Sequence, residues 1–470
     1  MSEFRRQHPV AAITQFLAVL RQNLVPIVIF VVVGSRNTDQ YFFYFFALAI
    51  ISTLILGIVG WFRFSFRVDG NELQIRKGVF VRKELFLTND RIQVIDITEG
   101  LLQRLFGLVK VEVKSAGSGT ESATISAITR EEAEELRRLL RSNGVVQLED
   151  QDAQEVRIEV ENLSWKLSNR DLFLAALTSG NFGLIASILG ATSGQLDQFI
   201  NEENLEYVFG LIPGLGNISF FLGIAILILV VSYIFSFLGV ILQYYGFEVE
   251  KKETELVITS GLLERKQTTV PFNRIQALRF MEGIFREPFG YGMLFVESAG
   301  FEQKGSEKSI VLLPFFKKEN LETFLAEFIE PVQDHKKNIS PPERAFFRYL
   351  RRPSYLIALS TPVIWFFWDF GWIFFWFLVP AVFLGWLRYK DAKLFYNDEE
   401  LKLQYRVLAK RTAYIKKKRV QVSEYSINPL QRRKKLSTLV VTVASGAGGR
   451  AFNISDLDQQ ESERFILDKA

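Results

Sequence analysis

Two runs of cations near the C-terminus, Lys416, Lys417, Lys418 and Arg419, then Arg432, Arg433, Lys434 and Lys435, carry the densest charge in the sequence. Side chains of this type at this density attract anions, and beside an acidic leaflet each cation is worth about 1 kcal/mol. A solvated basic face is the other reading of the same runs. Nucleic acid is a poor partner, because no aromatic platform is interleaved with the cations and no helix-turn-helix pattern occurs. Arg91 and Arg274 extend the set, since each opens an Arg-Ile-Gln tripeptide and Arg419 opens Arg-Val-Gln. These arginines read either as contacts to an anionic head group or a partner's carboxylate, or as ion pairs with Glu99 or Glu282 that fix a loop.

Other chemistry lacks its residues. Cysteine is absent, which removes disulfides, thiolate metal sites and cysteine nucleophiles. His8 and His335 stand apart, one near the N-terminus and one in a linker. No G-x-x-x-x-G-K-[ST], H-E-x-x-H or G-x-S-x-G occurs, and the glycine-rich SAGSGT and SGAGG lack a following helix. The expectation is a protein that is not an enzyme and takes neither cofactor nor metal.

The elements that position the cations are written three times. Residues 91–117 and 274–300 align without a gap, agreeing at Arg91/Arg274, Gln93/Gln276, Glu99/Glu282, Gly100/Gly283, Phe106/Phe289 and Gly107/Gly290. Upstream, Glu72, Leu73, Gly78, Arg82 and Lys83 recur at Glu255, Leu256, Gly261, Arg265 and Lys266. A third copy begins at Glu400 and Leu401, continues through Lys410, Arg411, Arg419, Val420 and Gln421, and slips by a residue or two after Pro429. It departs from the others where Arg406 replaces Gly78, Asn428 replaces Gly100, and QRRKKLST loses the Phe-Gly pair. The period is too long for a solenoid, so these are whole domains. Gly100, Gly107, Gly283 and Gly290 are expected in turns that need positive φ.

Apolar residues cluster between the copies. Residues 41–62 and 218–242 carry no charge and are long enough to cross a bilayer, which takes about 20 apolar residues. Residues 172–191 read as a third span, and 355–368 with 371–387 as a tight helical hairpin broken around Asp369 and Gly371. The first span is the least regular. Ile13, Phe16, Leu17 and Leu20 suggest an amphipathic lead-in before a short span from Leu24 to Val33, or one continuous helix with Arg21 snorkelling. The loop at 192–217 has acidic residues and no Lys or Arg, whereas Lys and Arg crowd the opposite ends of the spans. By the positive-inside rule the termini and all three copies face the cytoplasm.

Within each copy the apolar residues alternate with period two, as in half-buried antiparallel strands, and a helix follows. In the first copy Thr129 and Glu132 have capping-box spacing ahead of Leu136, Leu139 and Leu140. The Arg-Ile-Gln, Gly, Phe-Gly and Ser-Ala-Gly positions after a helical hairpin resemble the bacterial pleckstrin-homology domain of the second type, and the threefold array resembles the YdbT-like membrane proteins. That resemblance implies PH-like antiparallel β-barrels, each capped by a C-terminal helix, at the cytoplasmic face of a bacterial membrane. The expected fold is an α+β membrane protein with six transmembrane helices in three pairs. Its parts run 1–66 (amphipathic segment and first pair), 67–143 (first PH-like domain), 144–165 (linker), 166–243 (second pair), 244–330 (second domain), 331–352 (linker), 353–388 (third pair) and 389–470 (third domain).

The expected function is a non-catalytic scaffold or lipid- and protein-binding module in envelope maintenance. Its partners would be anionic lipids of the inner leaflet, with another membrane protein or a second copy. The alternative is a transport or export component giving tolerance to membrane-active compounds. The sparse charge within the spans argues against that alternative, because transport sites place ionisable groups at the midplane.

Overall fold

A computed structural model describes residues 3–22, 40–70, 72–88, 92–115, 123–140, 163–179, 217–298, 309–333, 337–367, 369–445 and 449–467. The first unit begins with α1 (Val10–Gln22) and α2 (Gln40–Phe62) and continues through β1 (Ser65–Asp69), β2 (Glu72–Lys77), β3 (Lys83–Thr88) and β4 (Ile92–Glu99). It closes with α3 (Leu101–Leu105), β5 (Leu108–Ser115), β6 (Ala123–Thr129) and α4 (Arg130–Leu139). The capping box at Thr129 and Glu132 is formed, and Leu136 and Leu140 are buried beneath it.

The second unit repeats this order: β7 (Ser164–Lys166), α5 (Asn169–Leu177), α6 (Asn217–Tyr244), β8 (Glu248–Lys251), β9 (Glu255–Ser260), β10 (Arg265–Pro271), β11 (Ile275–Glu282), β12 (Tyr291–Ser298), β13 (Ile310–Lys317) and α7 (Leu321–Phe328). The third has β14 (Lys337–Ile339), α8 (Phe346–Phe367), α9 (Leu378–Asp391), β15 (Lys393–Tyr396), β16 (Glu400–Arg406), β17 (Lys410–Lys416), β18 (Val420–Ser426), α10 (Pro429–Arg432), β19 (Leu436–Val443), β20 (Arg450–Asp458) and α11 (Gln459–Leu467). β14 lies in a stretch that the sequence reads as a linker, and β7 spans the end of the other linker and the first residue of the second pair. Each pairs with the strand that follows its hairpin, as Arg5 bridges to Phe66 in the first unit.

The sheets do not respect the boundaries of the copies. Their strand orders are β1-β2-β3, then β6-β5-β4-β10-β9-β8-β7, then β13-β12-β11-β17-β16-β15-β14, then β18-β19-β20. Three separate barrels are expected from the sequence. Instead, each copy is two sheets folded over one core, and the second sheet of one copy runs edge to edge into the first sheet of the next. The physical reason is that β4 and β11 would otherwise present a row of unpaired backbone groups, which β10 and β17 satisfy. The two junctions share a register: Glu99 lies opposite Arg265 in one, and Glu282 opposite Lys410 in the other. A bulge recurs at Gln93, Gln276 and Gln421, one residue into each fourth strand, and it keeps all three copies aligned.

Each copy has its own core, plugged by its terminal helix: Leu136 in the first, Phe324, Leu325 and Phe328 in the second, Phe465 in the third. Ala277, on the second copy's β11, sits in the third copy's core.

The six expected spans are not all met among the described residues. Two segments there are long and apolar enough to cross a membrane, Ile226–Tyr244 and Gly371–Asp391, and Ile50–Phe62 is a shorter apolar helix. In α8 only the part beyond Arg352 is apolar, and it contains Pro353 and Pro362. The expected span at 24–33, the later part of 172–191 and the acidic loop up to residue 216 lie outside the described residues. The third hairpin turns through a 3₁₀ segment, Asp369–Phe377, where a Cβ on Gly371 would meet the Trp365 backbone at 2.4 Å. In the second unit, Ser179 and Ser236 hydroxyls meet at 3.0 Å and the Tyr233 hydroxyl donates to the Leu177 carbonyl, tying α5 to α6.

Candidate functional site: the helix-proximal rim

Each copy directs two loops to the end where its long helices begin and finish. The first loop is the hairpin between its second and third strands in the first two copies, and between β16 and β17 in the third. In the first two copies it turns at Gly78 (φ +122°) and Gly261 (φ +111°), where a Cβ would come within 1.9 Å of the Val81 carbonyl oxygen and 2.0 Å of that of Glu264. Only glycine fits there. The tips are fixed to the ends of the hairpin helices. Arg63 Nη1 donates to the Val79 carbonyl at 2.7 Å, the Leu262 amide to the Leu242 carbonyl at 2.9 Å, and Arg388 to the Val407 carbonyl at 2.6 and 2.9 Å. Beside these anchors the tips expose Phe80 and Val81, Leu262 and Leu263, and Val407 and Leu408.

In the third copy the turn needs no left-handed glycine, because Arg406 stands at that position. Its buried guanidinium donates to Asp391 at 2.6 Å and to Glu287 of the second copy. The substitution that the sequence shows as a departure is thus an ionic tie between copies.

The second loop follows the fourth strand. In the first copy it is α3, which packs near α1 and exposes Leu101, Leu105 and Phe106. In the second it exposes Ile284, Phe285 and Phe289, while Arg286 donates to Thr178 Oγ1 at 2.9 Å, the Ala175 carbonyl at 2.8 Å and the Pro314 carbonyl at 2.9 Å. Burial pushes the Arg286 guanidinium down to about 10. Gly107 (φ +65°) and Gly290 (φ +71°) close these turns as expected. Gly100 does not take positive φ: it is the extended N-cap of α3, with φ −73°. Gly283 also lies outside the left-handed set.

The third copy replaces this apolar turn with charge. Asn428 caps α10 in a box with Gln431, Leu430 is exposed, and Arg432, Arg433, Lys434 and Lys435 follow, all exposed. Lys435 occupies the position of Gly107 and Gly290 and adopts their left-handed conformation, φ 49°. The turn is bound to the start of α8 through Asp456, fully buried and also left-handed at φ 58°. Asp456 accepts from Gln431 at 2.9 Å and pairs with Arg348 at 3.1 Å and Arg352 at 2.9 Å. Arg344 pairs with Asp458 and donates to the Lys435 carbonyl at 3.3 Å. Where Ala127 and Phe315 dock the other copies onto their hairpins through apolar contacts, Asp456 docks this one through ion pairs. Arg348 and Arg352 are four residues apart on one face of α8, and Arg344 precedes them in the 3₁₀ turn Glu343–Ala345.

The other cations lie elsewhere. Lys417, Lys418 and Arg419 form the 3₁₀ corner between β17 and β18, at the opposite end of β18 from α10. Seven residues of strand, Val420–Ser426, separate the two clusters by about 23 Å at the usual rise. The structure therefore does not join Lys416–Arg419 and Arg432–Lys435 into one patch. Lys416 pairs with Glu330, and Lys417 Nζ lies 5.9 Å from the Tyr396 ring centre. Lys418 and Arg419 line a cavity of about 460 Å³ between the second and third copies, with Glu330, Glu400 and Tyr414. Burial, with Lys418 and Arg419 adding repulsion, holds the Lys416 ammonium below its ordinary value. Arg274 occupies the same corner in the second copy, its carbonyl accepting from Gln276 at 3.2 Å. Arg91 lies outside the described residues. Glu99 pairs with Arg130 at 3.2 Å and Glu282 with Lys318 at 3.1 Å, so in both copies a base at the entry to the terminal helix holds the acid.

Two stacked sheets closed by a C-terminal helix, hung from a helix pair and repeated three times, define an array of PH-like domains. The bacterial PH domain family matches residues 20–144, 207–331 and 354–467, and the chain belongs to that family. It is 31% identical over 489 residues to the UPF0699 transmembrane protein YdbT of Bacillus subtilis (strain 168), a likeness that covers 99% of this chain and 98% of that protein. The chain is thus a membrane-associated protein built of bacterial PH-domain repeats.

Proposed function

We propose that the chain is a non-catalytic, multi-pass protein of the bacterial cytoplasmic membrane, with six helices in three pairs and both termini in the cytoplasm. It holds its three PH-like domains against the inner leaflet as a scaffold or lipid-binding module in envelope maintenance. The observation that carries this reading is the third copy's basic turn. Arg432, Arg433, Lys434 and Lys435 sit at the helix-proximal rim, in the place the first two copies fill with exposed apolar side chains. Apolar tips and a basic turn on one rim suit the acyl boundary and the acidic head groups of a leaflet. Lys416–Arg419 face the other way, and in this reading they serve the contact between domains rather than lipid.

The test uses the whole chain in nanodiscs, where brominated lipid quenches the intrinsic tryptophans. Brominated acidic lipid should quench more than brominated neutral lipid. Arg432→Gln, Arg433→Gln and Lys434→Gln together should remove most of that preference, at about 1 kcal/mol per cation. Equal quenching by the two lipids in the unaltered chain would sink the reading.

A further inference from the structure

Among the edge strands of the described residues, two are the unjoined halves of the junction that the chain forms twice within itself. β4 pairs with β10, and β11 with β17. Each time, the fourth strand of one copy meets the third strand of the next. Left over are β3, the third strand of the first copy, and β18, the fourth strand of the third copy. Among the described residues β3 pairs only with β2, and β18 only with β19.

We propose that β18 of one chain pairs with β3 of a second copy, so that whole chains assemble head to tail through a third junction of the same kind. The register follows from the two junctions already made. Met281 opposite Arg411 becomes Ser426 opposite Lys83, and Ala277 opposite Ile415 becomes Val422 opposite Leu87. The side chains on the open edges suit these places. Asp96 on β4 is 1% exposed and receives Lys266 of the next copy at 3.5 Å. The residues at the same two positions on the open edges are Glu424 and Lys83, both exposed, so the same charge pair is available between chains.

The apolar residues agree. Ala277 is buried in the following copy's core, yet Val422 at its position is 50% exposed. Tyr414 packs against the preceding copy's core, yet Phe86 at its position is 52% exposed. Neither β3 nor β18 contains a proline, so the backbone donors needed for a ladder are present. Because the two faces differ, the contact is heterologous: it gives a ring if the rotation closes and a row if it does not. With the three helix pairs in one bilayer, as in the function proposed above, the same junction repeated between chains keeps the assembly in one layer.

The absence of cysteine makes the test direct. Two differently tagged full-length chains, one carrying Ser426→Cys and the other Lys83→Cys, are co-expressed and oxidised in native membranes. A disulfide-linked dimer is expected, with the pair Ser426→Cys and Glu84→Cys, shifted by one residue onto the opposite face, staying at background. In a chain that keeps Lys83, crosslinked through Val422→Cys and Leu87→Cys, Lys83→Glu should reduce the dimer and adding Glu424→Lys should restore it. Mass photometry of the cysteine-free chain in nanodiscs gives a second readout, expected at two or more chains. Equal yields from the in-register and shifted pairs would overturn the proposal, as would a monomer by mass photometry.

Discussion

Arg137, on the terminal helix of the first copy, donates to Glu255, on the second strand of the second copy, at 2.7 Å, and both side chains are buried. The pair joins residues 118 positions apart and lies beside the β4·β10 ladder, so it reports on the junction rather than on either domain. Removing one partner leaves a buried charge uncompensated, a loss of about 3–5 kcal/mol, whereas replacing both with apolar residues of similar volume is close to neutral. Glu255→Ala should therefore lower the denaturation midpoint of the detergent-solubilised chain much more than Arg137→Met with Glu255→Leu. Equal losses would mean that the ion pair is incidental to the junction.

Lys435 carries a charge where its two counterparts carry glycine, in a conformation that costs a side chain about 1–2 kcal/mol. Lys435→Gly should raise stability by about 1 kcal/mol and at the same time reduce the preference for acidic lipid. Gly290→Ala should have the opposite effect on stability. Urea titrations of the three proteins separate these outcomes, and a destabilised Lys435→Gly would show that the lysine's contacts outweigh its backbone cost.

Much of the fold is legible in the sequence. The charge-free stretches at 41–62 and 218–242 fall within α2 and α6, because an apolar run of that length has few other structures open to it. Thr129 and Glu132 cap α4, and Gly107 and Gly290 turn with positive φ, because these are local requirements of the backbone. The joining of copies was not readable. Alternation of apolar and polar residues is the same whether a strand's edge is open or paired with a strand from another repeat. The rim was only partly readable: Arg432–Lys435 stand out by charge, but their distance from Lys416–Arg419 depends on the direction of β18, and Asp456 looks like any acid in a strand. Nothing in its immediate neighbours marks it as the partner of Arg348 and Arg352.

Glu400 lies at the edge of the cavity between the second and third copies. Burial, together with repulsion from Glu399, holds its carboxyl above the ordinary value of 4.5, although the Gln333 amide donates to it. A carboxyl raised in the folded state binds a proton more tightly there than in the unfolded chain. Stability is then lost as pH rises from near 4.5 through the folded value, and the full penalty is present at neutral pH. Glu400→Gln should remove that slope and leave the chain at least as stable at neutral pH. Thermal unfolding across the acid range checks it: parallel curves for the two proteins would contradict the assignment.

The proposed function holds three domains of one kind on one side of the membrane, facing the cytoplasm, with the basic turn against the leaflet. Its most direct test places a single cysteine at Asp69, Glu253 or Asp398, exposed residues in or beside corresponding turns of the three copies. In intact cells an impermeant maleimide should label none of the three, and after permeabilisation it should label all of them equally. Labelling of any one position from outside would place that domain across the membrane from the others and contradict the account.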